Sequence, residues 1–295
     1  MNKILVICGP TAVGKSRLAV EIAQKYGGEV ISADSRQVYR GLDIATGKIT
    51  EGAMSGVPHH LLDVADPKNN FSVADFKTLA DQTVLDIHER NKLPILCGGT
   101  GFYIQAVIDD LVLPDVEPNE SLRKKLSKRT TDSLYTELAE KDPRRAEKID
   151  PNNPHRLIRA LEIVAELGKV PRLEKKERFS TLQIGLDLPD KELKHHIIKR
   201  TKARFESGII EEARKLYKNG LSLERMRELG LEYRYLADFI DESITKKEVF
   251  KNIIQGDWQY VKRQRTWFRK DDRISWFHPE KDFENILSTV DDFTK

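Results

Sequence analysis

Two cysteines in 295 residues exclude a disulfide framework and a cysteine-based zinc site. Cys8 and Cys97 each end a short apolar run and read as buried free thiols, a usage natural to the cytoplasm. Long hydrophobic runs are absent too: nothing approaches the roughly 18 residues of a membrane span. The opening MNKILVICGP breaks at Gly9-Pro10, so it reads as a strand and a glycine loop rather than a secretory signal. Neither sign of charge dominates, since 50 Lys and Arg stand against 47 Asp and Glu. Net charge is therefore weak evidence for a nucleic-acid partner, and the distribution of charge has to carry that argument. No internal repeat and no low-complexity segment is visible. The length allows two domains, or one domain with a large insertion.

What is present is an alternation of strand and helix patterns. Lys3–Cys8 reads as a strand, Ser16–Tyr26 as a helix, Glu29–Ala33 as a second strand and His60–Val64 as a third. Ser72, with Asp75 three residues on, forms a capping-box pattern that opens a helix ending before Asn91. Leu93–Cys97 is a further strand. This order predicts an α/β fold with a parallel sheet flanked by helices. From Pro114 the character changes: three helical segments punctuated by Pro143, Pro151 and Pro154 precede a strand near Thr181–Leu188. The expected organisation is a core of residues 1–114 and 181–295, the second part mostly helical, interrupted by an all-helical insertion over 115–180.

GPTAVGKS at residues 9–16 satisfies G-x-x-x-x-G-K-[ST] at every required position, between a strand and an amphipathic helix. The loop of Gly9, Pro10, Thr11, Ala12, Val13 and Gly14 would wrap a phosphate, bringing to it the backbone N–H groups of its non-proline residues and a helix N-terminus. Lys15 adds a charge, and the Ser16 hydroxyl can reach a Mg²⁺ bound to that phosphate. The loop marks a phosphate or diphosphate, not a nucleotide, although it invites a nucleotide-binding label. An NTPase usually has a further acidic residue at a neighbouring strand end to hold Mg²⁺. Here Leu93–Cys97 ends in Gly98-Gly99-Thr100-Gly101 instead, and Asp63 is the other candidate.

Ligands of open α/β sheets bind outside the carboxyl ends of the strands. Asp34 follows the second strand there, where a carboxylate beside a phosphate site suits proton transfer or metal binding. A helix-capping Asp is the alternative. His59 and His60 are adjacent, so their side chains point to opposite faces of a strand and make a poor metal pair. His195 and His196 sit side by side on a charged helix.

GPTAVGKS, ISADSRQVYRGLDIATGK, PHHLLDVADP, FSVADF, LPILCGGTGFYIQA, IDPNNPHRLIRALEI and YVKRQRTWFR occur in that order. Together they resemble the tRNA dimethylallyltransferases, also called tRNA isopentenyltransferases, over about residues 4–277. With two cysteines the chain lacks the ligands for the zinc finger of some eukaryotic members, so the likeness is to the bacterial form.

The resemblance implies transfer of the dimethylallyl group of dimethylallyl diphosphate to N6 of adenosine-37 in tRNAs that read codons beginning with U. It implies a soluble, monomeric cytoplasmic enzyme using Mg²⁺, with a helical insertion that grips the anticodon stem-loop. Asp34 becomes the base that takes the amine proton, Thr100 bonds the bridging oxygen of the diphosphate, and Lys15 binds the leaving group. Arg200 and Arg204, four apart on one helix face, either reach the diphosphate as well or are solvated helix charges. Reaching the adenine requires base flipping, and Ser35, Arg36 and Gln37 are placed to hold it. Arg123 and the segment His155, Arg156, Leu157, Ile158, Arg159 are expected at the RNA. Trp258, Tyr260, Trp267 and Phe268, interleaved with basic residues, suit either RNA stacking or a packed amphipathic helix. A small-molecule kinase or NTPase shares the loop, and an RNA-binding protein could use it to anchor a nucleotide. The ordered motifs weigh against both.

Overall fold

Ile4 to Cys8 are apolar at every position and fully buried, which is the pattern of a strand covered on both faces. The computed structural model describes residues 2–176 and 178–295. The strands among them are β1 (Lys3–Cys8), β2 (Gly28–Ala33), β3 (His59–His60), β4 (Leu93–Gly98), β5 (Ser180–Leu186) and β6 (Ile274–Phe277). They form a parallel sheet in the order β3-β2-β4-β1-β5-β6. Alternate residues of β1 enter different cores. Leu5 and Ile7 join one with helix α1 (Lys15–Tyr26), and Ile4, Val6 and Cys8 join the other with Phe76, Ala80, Val84 and Ile87. The latter four belong to α3 (Val73–Glu89), which begins with the expected Ser72–Asp75 capping box. A single turn, α2 (Glu51–Met54), lies between α1 and α3.

The third strand is shorter than the sequence suggests. It stops at His60 because Leu61 and Asp63 take left-handed backbone conformations, with φ of 61° and 57°. The sequence reading missed β6 altogether, a run of four residues between charged segments.

Two compact units make up the chain, residues 1–110 with 177–295, and residues 111–176. The division falls four residues before each expected boundary. The smaller unit has its own apolar core, in which Leu126, Leu134, Leu138, Leu157, Leu161 and Val164 are buried. Its helices are α5 (Glu120–Leu126), α6 (Thr131–Lys141), α7 (Pro143–Ala146) and α8 (Pro154–Leu167). In the larger unit α4 (Gly101–Ile108) follows β4. After β5 come α9 (Asp190–Glu206), α10 (Ile209–Lys218), α11 (Leu223–Leu229), α12 (Leu231–Ile240), α13 (Lys246–Phe268) and, beyond β6, α14 (Phe283–Thr294). Helices α10 to α13 bury Val38, Tyr39, Leu42 and Ala45 from the segment after β2. That segment is thereby held beside the carboxyl edge of the sheet. No helix of the described residues is long and apolar enough to cross a membrane.

Candidate active site

The carboxyl ends of β1, β2 and β4 open into one cavity of about 190 Å³. Its lining includes Thr11, Ala12, Gly14, Lys15 and Ser16 from the phosphate loop, Asp34 and Gln37 after β2, Gly98 and Gly99 after β4, and Arg200. Thr46 and Gly47 complete one side, from a loop whose Asp43, Ile44 and Ala45 amides donate to Glu212 at 3.0, 2.6 and 3.0 Å.

The loop's shape follows from its sequence. Gly9 has a φ of 132°, and a Cβ there would lie 2.2 Å from the Leu186 carbonyl oxygen. Gly14, also left-handed, starts α1 without a side-chain cap, so the first amides of that helix stay available to an anion. Pro10 and Val13 do not line the cavity with their side chains: Val13 is buried in the core, and the Pro10 carbonyl accepts from Lys15 Nζ at 2.7 Å. Burial pulls the Lys15 amine below its ordinary range, with Asp34 pulling the other way. Such a lysine is poised to gain from an arriving anion.

Asp34 caps a turn and lines the cavity at the same time. Its Oδ1 accepts from the Arg36 and Gln37 amides at 2.8 and 3.3 Å, capping the turn after β2. The residue still lines the cavity, and both of these hydrogen bonds fall on Oδ1, not Oδ2. Thr100 stands next to it in the hydrogen-bond network. Its Oγ1 accepts from the Ser35 amide at 3.1 Å, and its own amide donates to the Ala33 carbonyl at 3.2 Å. Gln37 reaches towards the Thr46 and Gly47 carbonyls at 3.5 and 3.4 Å.

The two arginines of α9 part company. Arg200 donates to Thr11 Oγ1 at 2.6 Å and to Asp257 at 2.8 Å, at the cavity wall. Burial, and Arg204 close by, lower its pKa. Arg204 does not line the cavity. Its guanidinium is buried against Glu232 at 2.7 Å and Asp257 at 3.6 Å. Burial and the nearby Asp257 raise the Glu232 carboxyl to about 7, against the opposing pull of Arg204. The i, i+4 spacing on α9 foresaw a shared face but not this change of partner.

Several other expected residues are placed differently. Asp63 pairs with Lys48 at 2.5 Å and is not at the cavity. His60 bonds Glu29 at 2.7 Å, whereas His59 lines the cavity and donates from Nδ1 to the Val57 carbonyl at 2.9 Å. Among the described residues no group of three or more His, Cys, Asp or Glu could hold a metal. Cys8 and Cys97 are buried, and burial pushes both thiols up to about 12, so neither is a ready nucleophile.

In the smaller unit Leu157 is fully buried in the core, so its side chain cannot meet RNA. Arg123 and Arg159 converge on the Glu162 carboxylate, at 2.8 and 3.1 Å, and that carboxylate also accepts from the Asn119 amide at 2.8 Å. Their first role is to neutralise a buried acid. His155 and Arg156 are exposed on the first turn of α8, after the Asn153 cap, and Ile158 is half-buried.

Sequence reasoning missed Asp257 and Gln264. Gln264 accepts from the Thr11 amide at 2.8 Å and donates to the Gly99 carbonyl at 2.9 Å. Both sit in α13 at the spacing of its buried residues, Val249, Ile253, Val261 and Phe268. A polar residue in an apolar register was the available signal.

Residues 37–271 match the family described as IPP transferase. A tRNA dimethylallyltransferase of Anoxybacillus flavithermus is 41% identical over 98% of this chain and 95% of its own length. That of Bacillus subtilis is 38% identical over 99% and 95%. A solved tRNA isopentenylpyrophosphate transferase of Bacillus halodurans superposes with a TM-score of 0.74 at 39% identity, covering 100% of this chain and 96% of that one. A eukaryotic dimethylallyltransferase acting on tRNA gives 0.77 at 29% identity, over 90% and 70%. With a phosphate loop, Asp34 and the Thr100 turn gathered at one sheet edge, and with this likeness over nearly its whole length, the chain belongs to the IPP transferase family, that of the tRNA dimethylallyltransferases.

Proposed function

We infer that this protein transfers the dimethylallyl group of dimethylallyl diphosphate to N6 of adenosine-37, in tRNAs reading codons that begin with U. The observation that carries the reading is the joining of a leaving-group cradle and a carboxylate in one cavity, whose lining includes Lys15, Arg200 and Asp34. The loop alone would also serve an NTPase, and the Asp34 carboxylate beside it suits removal of a proton from an amine nucleophile.

The exocyclic amine of adenine is a weak nucleophile, because its lone pair is delocalised into the ring. As N6 bonds to C1 of the dimethylallyl group, the C1–O bond breaks and diphosphate departs with its electron pair. The N6 proton passes to Asp34 Oδ2, the oxygen not used by the turn. The loop amides, Lys15 and Arg200 stabilise charge growing on the diphosphate, and the Thr100 hydroxyl bonds its bridging oxygen. Gln37, Ser35 and Arg36 border the place of the flipped adenine.

Mg²⁺ suits this donor set. The Ser16 hydroxyl lines the cavity, no carboxylate cage surrounds it among the described residues, and Mg²⁺ is commonly held by substrate phosphates and water. When bound it would supply charge neutralisation to the diphosphate. We assign residues 111–176 to the anticodon stem-loop, with His155 and Arg156 as the exposed contacts and Arg123 and Arg159 presenting the charge left over from Glu162. The enzyme is proposed to act as a monomer in the cytoplasm.

The test is incubation with radiolabelled dimethylallyl diphosphate, Mg²⁺ and unmodified tRNA, followed by nuclease digestion. Labelled N6-dimethylallyladenosine is expected, and none when adenosine-37 is replaced by guanosine. Label that appears only with ATP cleavage would overturn the reading.

A further inference from the structure

The aromatic and basic run of α13 does more than present charge. One face of this helix meets the active site at three levels. Asp257 holds Arg200, the Tyr260 hydroxyl lies 3.4 Å from the Gly99 carbonyl, and Gln264 joins that same carbonyl to the phosphate loop.

Gln264 is the member that spans the site. Its residue is 4% exposed, so both ends of its amide need partners. Both partners are backbone groups of fixed polarity: the Thr11 N–H can only donate and the Gly99 carbonyl can only accept. The amide orientation is therefore forced. The fit is close, since a Cβ on Gly99 would lie 2.2 Å from Gln264 Nε2.

The hydrogen bonds form a chain. Thr11 belongs to the loop that cradles the leaving group. Gly99 precedes Thr100, Thr100 accepts from the Ser35 amide, and Ser35 follows Asp34. We propose that Gln264 is a positioning residue for prenyl transfer, a strut that fixes the spacing between the diphosphate cradle and the turn bearing Thr100, and through Ser35 the base Asp34. This rests on the function inferred above. Gln264 itself touches neither substrate in this scheme. It acts by keeping leaving group and base in register, and a misplacement of about 1 Å at such a site can cost about 10²-fold in rate.

Two variants of nearly equal size test it. Gln264→Glu keeps the acceptor for Thr11 and faces the Gly99 carbonyl with a second acceptor, and Gln264→Met removes both polar ends. Single-turnover transfer is measured with dimethylallyl diphosphate and tRNA saturating, and the rate constant is read separately from the amplitude. Amplitude reports the fraction of active molecules; the rate constant reports alignment within them. The strut predicts a rate constant lowered about 10–100-fold in both variants. Affinities for dimethylallyl diphosphate and for tRNA should stay within about threefold. Rate constants within twofold of wild type, with only amplitude or melting temperature reduced, would make Gln264 a packing residue and overturn the proposal. Loss of diphosphate binding in step with rate would overturn it as well, by placing Gln264 in the cradle. Failure of the wild-type protein to prenylate tRNA would instead defeat the functional reading beneath it.

Discussion

Arg204 donates to Glu232 at 2.7 Å, with both side chains less than a tenth exposed. Four residues earlier on α9, Arg200 reaches Thr11 of the phosphate loop. Asp257 lies between them, 2.8 Å from Arg200 and 3.6 Å from Arg204. One arginine thus lines the cavity and the other is buried in an ion pair behind it.

That difference separates two alanine variants. Arg200→Ala should weaken dimethylallyl diphosphate binding by roughly 10–100-fold, the equivalent of one charged hydrogen bond, and should cost less stability than the loss of Arg204, because the buried Asp257 keeps Arg204 at 3.6 Å. Arg204→Ala leaves Glu232 buried without its cation and should cost about 3 kcal/mol of stability. Calorimetric titration with dimethylallyl diphosphate and denaturant unfolding check the pair. Equal stability losses would remove the distinction.

Glu162 organises the smaller unit in a similar way. Burial pushes its carboxyl up, but Arg123, the Asn119 amide and Arg159 outweigh that and hold it below the usual carboxylate range. An acid whose folded pKa is depressed stabilises the fold above its unfolded pKa of about 4.3. That contribution fades as pH falls through the folded value. Wild type should therefore lose stability below about pH 4 relative to Glu162→Gln, and Arg159→Ala should also destabilise. Arg156→Ala should leave stability unchanged and flatten the salt dependence of tRNA binding by about one phosphate contact. Unfolding followed against pH, and tRNA affinity followed against salt, measure these effects.

The parts of the site that lie at strand ends were legible in the sequence. Strands such as Ile4–Cys8 announce themselves as short runs buried on both faces, and the loops that follow them carry GPTAVGKS, DSRQ and GGTG. What escaped notice was set by tertiary packing. The end of β3 depends on left-handed conformations at Leu61 and Asp63, which the apolar pattern of HHLLDV does not encode. Arg123 and Arg159 look like RNA contacts by charge alone, and only the fold shows that Glu162 is fully enclosed between them. Gln264 and Asp257 lie in the buried register of α13, but what they bond is set only by the packing of that helix against the phosphate loop and α9.

Lys15 is expected to trade stability for binding. Burial lowers its pKa, so its charge costs the ligand-free protein something that Lys15→Met would recover. The cost is present while the amine is charged, and it shrinks as pH rises through the folded pKa towards the unfolded value of about 10.4. At neutral pH the variant should melt at or above wild type. Adding dimethylallyl diphosphate at about 100 times its dissociation constant should stabilise wild type by about 2.7 kcal/mol and the variant far less. Transfer should fall at least roughly 10²-fold. Thermal melts with and without ligand report both halves, and a variant still stabilised like wild type would take Lys15 out of the cradle.

Asp34 offers the sharpest test because its two oxygens have separate duties. Oδ1 caps the turn through the Arg36 and Gln37 amides, and the proton acceptor assigned here is Oδ2. Asp34→Asn can present its carbonyl oxygen to the same two amides, since Asn caps about as well as Asp. Its NH₂ then occupies the place of the base and cannot accept a proton. Melting temperature and dimethylallyl diphosphate affinity should stay near wild type, whereas single-turnover transfer should fall about 10²–10⁴-fold, the range for a positioned general base. Asp34→Ala removes the cap as well, and should add a stability loss of about 1 kcal/mol to the same catalytic defect. If Asp34 served only the turn, the order would reverse: Asn would transfer at nearly the wild-type rate, and Ala would lose activity only in proportion to the protein that fails to fold.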